Sequence, residues 1–443
     1  MSKIRLHGSS SGYTEIAPVA ASGNNTLTLP NDGTIISKDS NGAVGVTSVV
    51  TTTATITTAK VGAAVTISES GIEASGIGIT CANINGTQIG GRRNLIINGA
   101  MEVAQRGTSF TGTTYGLDRM KQEHSGTDEA PTYAQVDVSS GTSPYTEGFR
   151  KALKITNGNQ TSGAGSSDYV YWWTVLEAQN VAKSGWNYTS ASSFITISFW
   201  IKSSVAQNFY GFLQTADGTA MSLAYETGSL TADTWTKIVK TIPGNSNLQF
   251  DNDANAGLYW APARAFDGTD RTASMSLDTW ATYSGSSRTP DATSTWYTTN
   301  DATLEFTGLQ LEVGSQATAF EHRSFAEELS LCRRYYQQYT NIVGTGYASD
   351  SANTSYHHGF TFPVEMRSAP TYSITNTGST AGQYVTDGNN NVSISSLSGG
   401  DFQTHNMAVH YNLSGDLTNF SAAHLFGVDS TTYQTTHKLS SEL

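Results

Sequence analysis

The 443-residue chain has few charged residues, few prolines and almost no cysteine. Charged residues make up 14% of it, against roughly a quarter in an ordinary globular chain. Its two cysteines, Cys81 and Cys332, lie far apart in the sequence. Such spacing indicates neither a disulfide framework nor a zinc site, which need closer groups of ligands. We therefore expect both cysteines to be buried apolar residues, and we expect no metal and no cofactor.

Positive charge and long apolar runs are also scarce. The 24 Lys and Arg are outnumbered by 36 Asp and Glu, and no basic run could follow a phosphate backbone, so nucleic acid is a poor candidate partner. No window reaches the roughly eighteen apolar residues of a membrane span. The first residues, MSKIRLHGSSSGYTEI, lack the apolar core of an export signal. We expect a soluble protein, synthesised in the cytoplasm without a signal peptide and not inserted in a membrane.

Ser, Thr, Gly and aromatic residues fill the composition instead. Thr, Tyr, Phe and Trp suit a pleated, half-buried surface, while Gly, Asn, Asp and Ser favour turns. Aromatic residues reach 10%, too many for a disordered chain that buries nothing. The composition predicts an all-β fold.

Changes in composition and in the polar–apolar pattern along the chain predict the domain organisation. Residues 1–41 alternate polar and apolar positions in short bursts, which indicates a small β unit with exposed strand edges. Residues 42–91 contain almost no aromatic or charged residue, and one copy has too little apolar surface to offset the entropy of ordering about fifty residues. Several identical chains wound together would remove that deficit, because their Ile and Val side chains could share one axis. A flexible linker is the alternative, but linkers rarely contain this many isoleucines: Ile72, Ile77, Ile79, Ile84 and Ile89.

All eight tryptophans lie between residues 92 and 300. Short strand-like runs recur there, at 151–155, 169–173, 194–201, 235–239, 257–260 and 302–311. Many short strands separated by turn signals predict a β-sandwich, specifically a jelly roll, over residues 92–320.

A helical pattern follows at residues 321–340. Phe325, Leu329, Cys332 and Tyr336 recur at spacings of four, three and four, which places them on one face of a helix of about four turns. Residues 341–443 return to short Ser- and Thr-rich strands, such as 356–362 and 406–411, and predict a second, smaller β domain at the C-terminus.

Two groups of motifs stand out beyond composition. The first is RRNLIINGAM (92–101), QRGTSF (105–110) and YGLDR (115–119), and the second is FTGLQLEVG (306–314), ATAFEHR (317–323) and EELSLCRRYY (327–336). They resemble the opening and the end of a jelly roll like a carbohydrate-binding module in bacteriophage tail fibre proteins. IRLHGSSSGY (4–13) resembles the start of such fibres. One departure is Met120, where the family usually has an aromatic residue.

The resemblance implies an elongated homotrimeric fibre that is a component of the virion. The N-terminal β unit would attach to a tail or baseplate protein, residues 42–91 would form an intertwined β stalk, and the jelly roll and C-terminal tip would adsorb the virion to a host-surface polysaccharide. Exposed strand edges can pair with a partner chain. The attachment candidates are Ile4, Leu6, Tyr13, Leu27 and Leu29.

Sugar-binding sites place aromatic ring faces against the sugar, because a pyranose ring is apolar on its faces and polar round its edge. The candidates lie in or beside polar segments: Trp172, Trp173, Trp186, Tyr188, Trp280 and Trp296. The alternative is that these rings fill the core. Trp172 and Trp173 point to opposite faces if they lie on one strand, so one of them should lie outside the core or in a contact between subunits.

Two patterns could indicate cation sites. Residues 251–257, DNDANAG, resemble a calcium loop but lack the Gly and Glu that such a loop needs, so a polar turn is the preferred interpretation. Six histidines lie in the last ninety residues, and on a trimer axis one would be presented three times. Scattered solvent-facing histidines are the simpler interpretation. They are His357, His358, His405, His410, His424 and His437.

Two rival functions remain open. A polysaccharide-cleaving tailspike needs two carboxylates about 5 to 10 Å apart, usually in a deep groove. Asp and Glu are sparse here, pairs such as Asp267 and Asp270 are better explained as turn residues, and no nucleophile elbow is present. We therefore expect no enzyme activity. The second rival is a structural connector or decoration protein that never meets the host.

Overall fold

The structure is a computed structural model of the chain. It describes residues 92–443 except 274, 341, 349–353, 377–382, 387–390, 418–421 and 428–434, together with the backbone of seven short strands before residue 92. The chain divides into two compact units, Met1–Thr80 and Cys81–Leu443.

In the first unit, β1 (Ile4–His7) pairs antiparallel with β2 (Tyr13–Ile16). Strands β3 (Thr58–Val61), β4 (Val65–Ser68) and β5 (Gly71–Ala74) form an antiparallel three-stranded sheet. The attachment candidates Leu27 and Leu29 lie outside the described residues, as do the side chains of Ile4, Leu6 and Tyr13. Cys81 also lies outside the described residues. So do the Ile and Val side chains of residues 42–91 that we expect to share one axis.

The second unit opens with the hairpin of β6 (Asn83–Ile84) and β7 (Thr87–Gln88), followed by two antiparallel sheets that form a sandwich. The sandwich strands are β8 (Ser109–Thr111), β9 (Lys121–Ser125), β10 (Thr132–Asp137), β11 (Lys151–Thr156), β12 (Tyr169–Glu177), β13 (Phe194–Ser203), β14 (Asn208–Thr215), β15 (Met221–Ser229), β16 (Thr236–Pro243), β17 (Ala256–Arg264), β18 (Phe266–Asp267), β19 (Ala281–Thr282) and β20 (Thr303–Val313). One sheet has six strands in the order β16-β13-β20-β11-β10-β8. The other has seven, in the order β18-β12-β17-β14-β15-β19 with β9 paired to β12.

Short helical segments occupy the connections. They are α1 (Ser143–Thr146), α2 (Ala178–Ala182), a 3-10 turn (Thr269–Arg271) and α3 (Thr295–Thr298). The predicted strand-like runs all fall in or beside strands of the two sheets. Alternate residues of the long strands fill the space between the sheets, as Ile195, Ile197, Phe199 and Ile201 of β13 do. The all-β prediction is confirmed.

The predicted helix is real but shorter than expected. Helix α4 covers Phe325–Arg333, and the Ser324 hydroxyl caps it by accepting the Glu327 N–H. Strand β21 (Tyr336–Thr340) begins where the helical spacing would have continued. Cys332 is buried as expected, but Phe325 is 59% exposed. The predicted apolar face is therefore wrong at its first residue, and the predicted helix end at residue 340 is wrong too.

The C-terminal part consists of a closed six-stranded sheet and a three-stranded sheet. Its remaining strands are β22 (Gly344–Ala348), β23 (Ser355–Thr361), β24 (Thr371–Asn376), β25 (Gln383–Thr386), β26 (Asn391–Phe402), β27 (Asn406–Leu413), β28 (Ala422–Gly427) and β29 (Thr435–Ser440). The closed sheet has the order β22-β23-β27-β26-β25-β28, and the open one has the order β21-β29-β24. Tyr356, Val409, Tyr411 and Leu425 fill the core of this part.

The opening and closing stretches of the jelly-roll resemblance meet in the structure. The Asn98 N–H donates to the Glu328 carboxylate at 2.6 Å, and the Arg323 guanidinium donates to the Ile96 carbonyl at 3.0 Å. The Asn94 side chain donates to the Leu309 carbonyl at 3.0 Å. These residues satisfy backbone groups where the first and last segments of the sandwich run together. Their role is structural.

The last residues of the chain are bound to the sandwich by a buried ionic cluster. The Glu442 carboxylate contacts the guanidinium groups of Arg106, at 3.0 Å, and of Arg119. The Arg119 guanidinium lies 3.5 Å from the centre of the Tyr335 ring, and that of Arg106 lies 3.6 Å from the centre of the Tyr336 ring. The two cations and the aromatic rings connect the sandwich to the C-terminal part. Among the described residues, no helix is long and apolar enough to cross a membrane.

Candidate functional site

The outer face of the seven-stranded sheet carries the best candidate site. Strand β12 sends Trp172 into the core and Trp173 to the opposite face, because successive side chains on a strand alternate. Trp172 is 0% exposed and packs edge-on against Phe306, with ring centroids 5.2 Å apart. Trp173 is half-buried on the outer face. The expectation that one of the two lies outside the core is met by Trp173.

Four aromatic rings form a continuous row on that face, which we call the aromatic row. Tyr169, Tyr171 and Trp173 share it because they occupy alternate positions of β12, with centroids 5.4 and 5.7 Å apart. Tyr259 of the neighbouring strand β17 extends the row, its ring centroid 5.1 Å from that of Trp173. Tyr171 is buried, whereas the other three rings are half-buried and present part of their surface to solvent.

Each ring along β12 is accompanied by a cation. The guanidinium of Arg271 lies 3.8 Å from the Tyr169 centroid, and that of Arg264 lies 3.8 Å from the Tyr171 centroid. The ammonium of Lys121 lies 5.4 Å from the Trp173 centroid. Aromatic faces attract cations through the ring quadrupole, so these contacts fix the orientation of the rings.

A buried ion pair supports the middle of the row. Arg264 and Asp267 are 2.8 Å apart and almost fully buried. Burial raises the pKa of the Asp267 carboxyl to about 6, against the opposing effect of Arg264, Arg288 and Arg271. Burial also lowers the pKa of the Arg264 guanidinium, against the opposing effect of Asp267. Asp267 is therefore a buried strand residue and not the turn residue that the sequence suggested.

Polar side chains border the exposed end of the row. Lys121 forms an ion pair with Glu123 at 2.9 Å on strand β9. Gln214 of β14 lies directly across from Tyr259 in the sheet and is half-buried. Burial raises the pKa of the Tyr259 hydroxyl, and nearby Lys121 opposes that shift. Apolar ring surface beside amide, carboxylate, ammonium and phenol groups can take both the faces and the hydroxyl edge of a sugar ring.

Four of the tryptophans predicted to bind sugar lie in the core of the sandwich, so the prediction is corrected for them. Trp172 and Trp296 are fully buried, and the Trp296 indole N–H donates to the Thr303 carbonyl at 3.1 Å. Trp186 and Trp280 are almost as deeply buried, and they donate to the carbonyls of Ser193, at 3.3 Å, and of Pro243, at 2.8 Å. Their rings pack the sandwich and offer no free face. Burying a large aromatic side chain removes much apolar area from water, so folding favours the placement of such residues in the core.

Tyr188 is half-buried and belongs to a separate cluster, with its ring 5.0 Å from that of Phe250 and 6.2 Å from that of Trp186. It therefore lies apart from the aromatic row. Three ring residues of the row, Tyr169, Tyr171 and Tyr259, were absent from the prediction. A period-two search of the run YVYWW would have found the first two, because residues 169, 171 and 173 share one face of a strand.

The predicted polar turn at residues 251–257 has internal hydrogen bonds. The Asn255 N–H and side-chain amide donate to Asp253 at 3.0 and 2.6 Å, and the Asp251 N–H donates to Asp217 at 3.0 Å. Among the described residues there is no group of three His, Cys, Asp or Glu side chains placed to hold a metal ion. Asp270 lies in the 3-10 turn and accepts hydrogen bonds from Ser166 and Ser167 at 3.0 and 2.5 Å.

The C-terminal histidines occupy several environments. His357 and His410 are cross-strand neighbours whose rings stack at 3.8 Å, while His358 and His437 are buried. His357 and His358 therefore lie on opposite faces of β23. His405 is at least partly exposed, and the side chain of His424 lies outside the described residues.

Comparison with known proteins gives remote structural likenesses. No family model and no curated protein sequence matches the chain. The enzymatically active domain of tailspike protein 4 from bacteriophage CBA120 is similar over 50% of this chain at 9% identity and TM-score 0.26, and this match covers 21% of that domain's chain. A sugar-binding protein of Bacteroides thetaiotaomicron, described as putative, is 12% identical at TM-score 0.28, over 50% of this chain and 99% of its own. A tandem carbohydrate-binding module of a Paenibacillus barcinonensis protein is 8% identical at TM-score 0.24, over 82% of this chain and 100% of its own.

Proposed function

We propose that this chain is a bacteriophage tail fibre protein that attaches the virion to a host-surface polysaccharide, without catalysis. The observation that supports binding is the aromatic row, in which the rings of Trp173, Tyr259 and Tyr169 are partly exposed beside Lys121 and Gln214. Partly exposed rings in a row can contact successive units of a long chain, whereas a deep groove with paired carboxylates is what glycoside cleavage usually needs.

The proposed mechanism is multivalent attachment. Three copies of the chain and several fibres on each particle would raise the effective concentration of sites, so that weak contacts with each sugar give durable attachment. The homotrimer is part of the proposal, because residues 42–91 have too few apolar residues for an interior of their own. Sedimentation of the purified full chain tests it: a mass of three chains is expected, and a monomer contradicts the fibre.

The binding experiment uses two variants of the row and a matched control. Trp173→Ala and Tyr259→Ala remove exposed ring surface from the proposed site. Trp235→Ala removes another half-buried tryptophan, with the Lys202 ammonium 5.2 Å from its ring, beside the six-stranded sheet. Adsorption of the full chain to host cells and to an array of bacterial polysaccharides is measured for all three variants.

We expect Trp173→Ala to weaken adsorption about two- to tenfold, since one stacking contact with an aromatic ring contributes on the order of 0.5 to 1.5 kcal/mol. Trp235→Ala should adsorb as well as the unchanged chain. Equal loss in all three variants contradicts the site. Release of sugar from the bound polysaccharide contradicts the absence of catalysis. Tight binding to another virion protein without any binding to cells favours a connector.

A further inference from the structure

A cleft lies between the sandwich and the three-stranded sheet of the C-terminal part. Arg106 and Tyr115 line it on one side, and Tyr336, Ser373 and Lys438 line it on the other. We call it the junction cleft. We propose that it binds an acidic sugar unit, meaning a pyranose that carries a carboxylate.

Strand alternation explains the chemistry of the cleft wall. On β29, His437 and Leu439 point into the C-terminal core and are fully buried, so Lys438 and Ser440 point the other way, towards the sandwich. Ser373 of β24 lies directly opposite Lys438 in the sheet and shares its face. One side of this sheet is therefore buried in the C-terminal core, and the other presents hydroxyl groups and an ammonium.

Charge in the cleft favours an anion. Its lining contains two cations, Arg106 and Lys438, and no carboxylate, although the chain as a whole has a net charge of −12. The charge of Arg106 is already matched by Glu442 at 3.0 Å, with Asp118 3.8 Å away. Among the described residues, no carboxylate lies within ion-pair distance of Lys438. A bound carboxylate would give the Lys438 ammonium an ion-pair partner.

The remaining lining suits a sugar ring better than a small inorganic anion. Phe110 and Tyr115 are half-buried and add aromatic surface, and Thr371, Ser373 and Ser440 add hydroxyl groups. The cavity measures about 350 Å³, at the lower end of the roughly 300 to 1,000 Å³ of small-molecule sites. Phosphate alone would leave most of this surface without a contact. A neutral sugar would offer the Lys438 ammonium no opposite charge.

The junction cleft goes beyond the proposed function, because it shares no residue with the aromatic row. The row would contact a polysaccharide chain whatever its charge, whereas the cleft would select a charged unit. A Trp173→Ala variant therefore keeps binding in the cleft. Loss of adsorption through the row and loss of binding in the cleft are distinguishable results.

The test compares three probes on the full chain by isothermal titration calorimetry: methyl β-glucuronide, methyl β-glucoside and inorganic phosphate. Lys438→Met removes the charge and keeps most of the side-chain length. Ser373→Trp fills the cleft from an exposed position, so it tests the site independently of Lys438. Lys154→Met is the matched control, because Lys154 is a half-buried lysine on strand β11 of the sandwich.

We expect the glucuronide to bind, and the glucoside to bind at least about tenfold more weakly, as the loss of one charge-assisted hydrogen bond predicts. Lys438→Met and Ser373→Trp should each reduce glucuronide binding by a similar factor, while Lys154→Met should leave it unchanged. Equal binding of glucuronide and glucoside overturns the proposal. So does phosphate binding as tight as that of the glucuronide, glucuronide binding that survives both cleft variants, or no binding of any probe.

Discussion

Trp172 and Trp173 are neighbours in the sequence, but they belong to different surfaces of the sandwich. The ring of Trp172 contacts Phe306 in the core, and the ring of Trp173 contacts Tyr171 and Tyr259 on the outer face. The sequence predicts that the two side chains diverge, since they lie in a strand-like run. It does not predict which of them faces the core, because both rings are equally apolar and the register is set by the pairing of β12 with β9 and β17.

This difference predicts unequal effects on stability. Trp172→Ala should lower the free energy of unfolding by about 4 kcal/mol, because a fully buried ring leaves a cavity. Trp173→Ala should lower it by about 1 kcal/mol, since that ring is already partly solvated. Urea unfolding of the full chain, followed by circular dichroism, measures both. Equal losses would mean that Trp173 is a core residue and would remove it from the proposed site.

At the scale of elements, strands were predictable and the end of helix α4 was not. Period-two patterns located the main strands of the sandwich, because local alternation is what a half-buried strand requires. The helical spacing of Phe325, Leu329 and Cys332 extends to Tyr336, yet the chain turns into strand β21 there. Pairing of Tyr336 with Ser440, about a hundred residues away, competes with the helix. A local pattern contains no information on such a distant partner.

The sheet of β21, β29 and β24 buries a titratable side chain. His437 is 0% exposed, and its Nδ1 lies 2.6 Å from the Tyr372 hydroxyl oxygen. Burial, with a smaller contribution from His358, lowers the pKa of His437 from 6.5 to about 3. Between those values an unfolded chain takes up a proton and the folded chain does not. The contribution of His437 to stability is complete above pH 6.5 and is lost as the pH falls towards 3.

This titration predicts that lowering the pH from 8 to 5 removes about 2 kcal/mol of stability through His437 alone. A His437→Asn variant should lose correspondingly less over the same interval. NMR titration of the His437 ring and urea unfolding at the two pH values measure the effect. A ring that titrates near pH 6.5 contradicts burial of the neutral imidazole.

At the scale of the whole chain, the sandwich and the C-terminal part are joined through charges that are distant in sequence. The side chains of Arg119 and Glu442 are only 2% and 5% exposed, although 323 positions separate them. The jelly-roll resemblance covers Arg119 but not Glu442, so sequence analysis could not pair them. Removing one member of a buried ion pair leaves the other charge without a partner in a poorly solvated site.

Glu442→Gln should therefore lower the free energy of unfolding by about 3 kcal/mol. Glu365→Gln is the matched control, because Glu365 is exposed and accepts a hydrogen bond from Thr404 at 2.9 Å. The control should change stability by less than about 0.5 kcal/mol. Urea unfolding compares the two variants, and equal effects would contradict the joining role of Glu442.

Binding of polysaccharide through the aromatic row is tested most directly by ¹⁹F NMR of the full chain labelled with 5-fluorotryptophan. The eight tryptophans give eight signals, which single Trp→Phe substitutions assign. On addition of a host-surface polysaccharide to which the protein adsorbs, we expect the Trp173 signal to shift most, while those of the buried Trp172 and Trp296 and of the distant Trp235 change little. A shift centred on Trp235, or binding that leaves the Trp173 signal unchanged, would contradict the account.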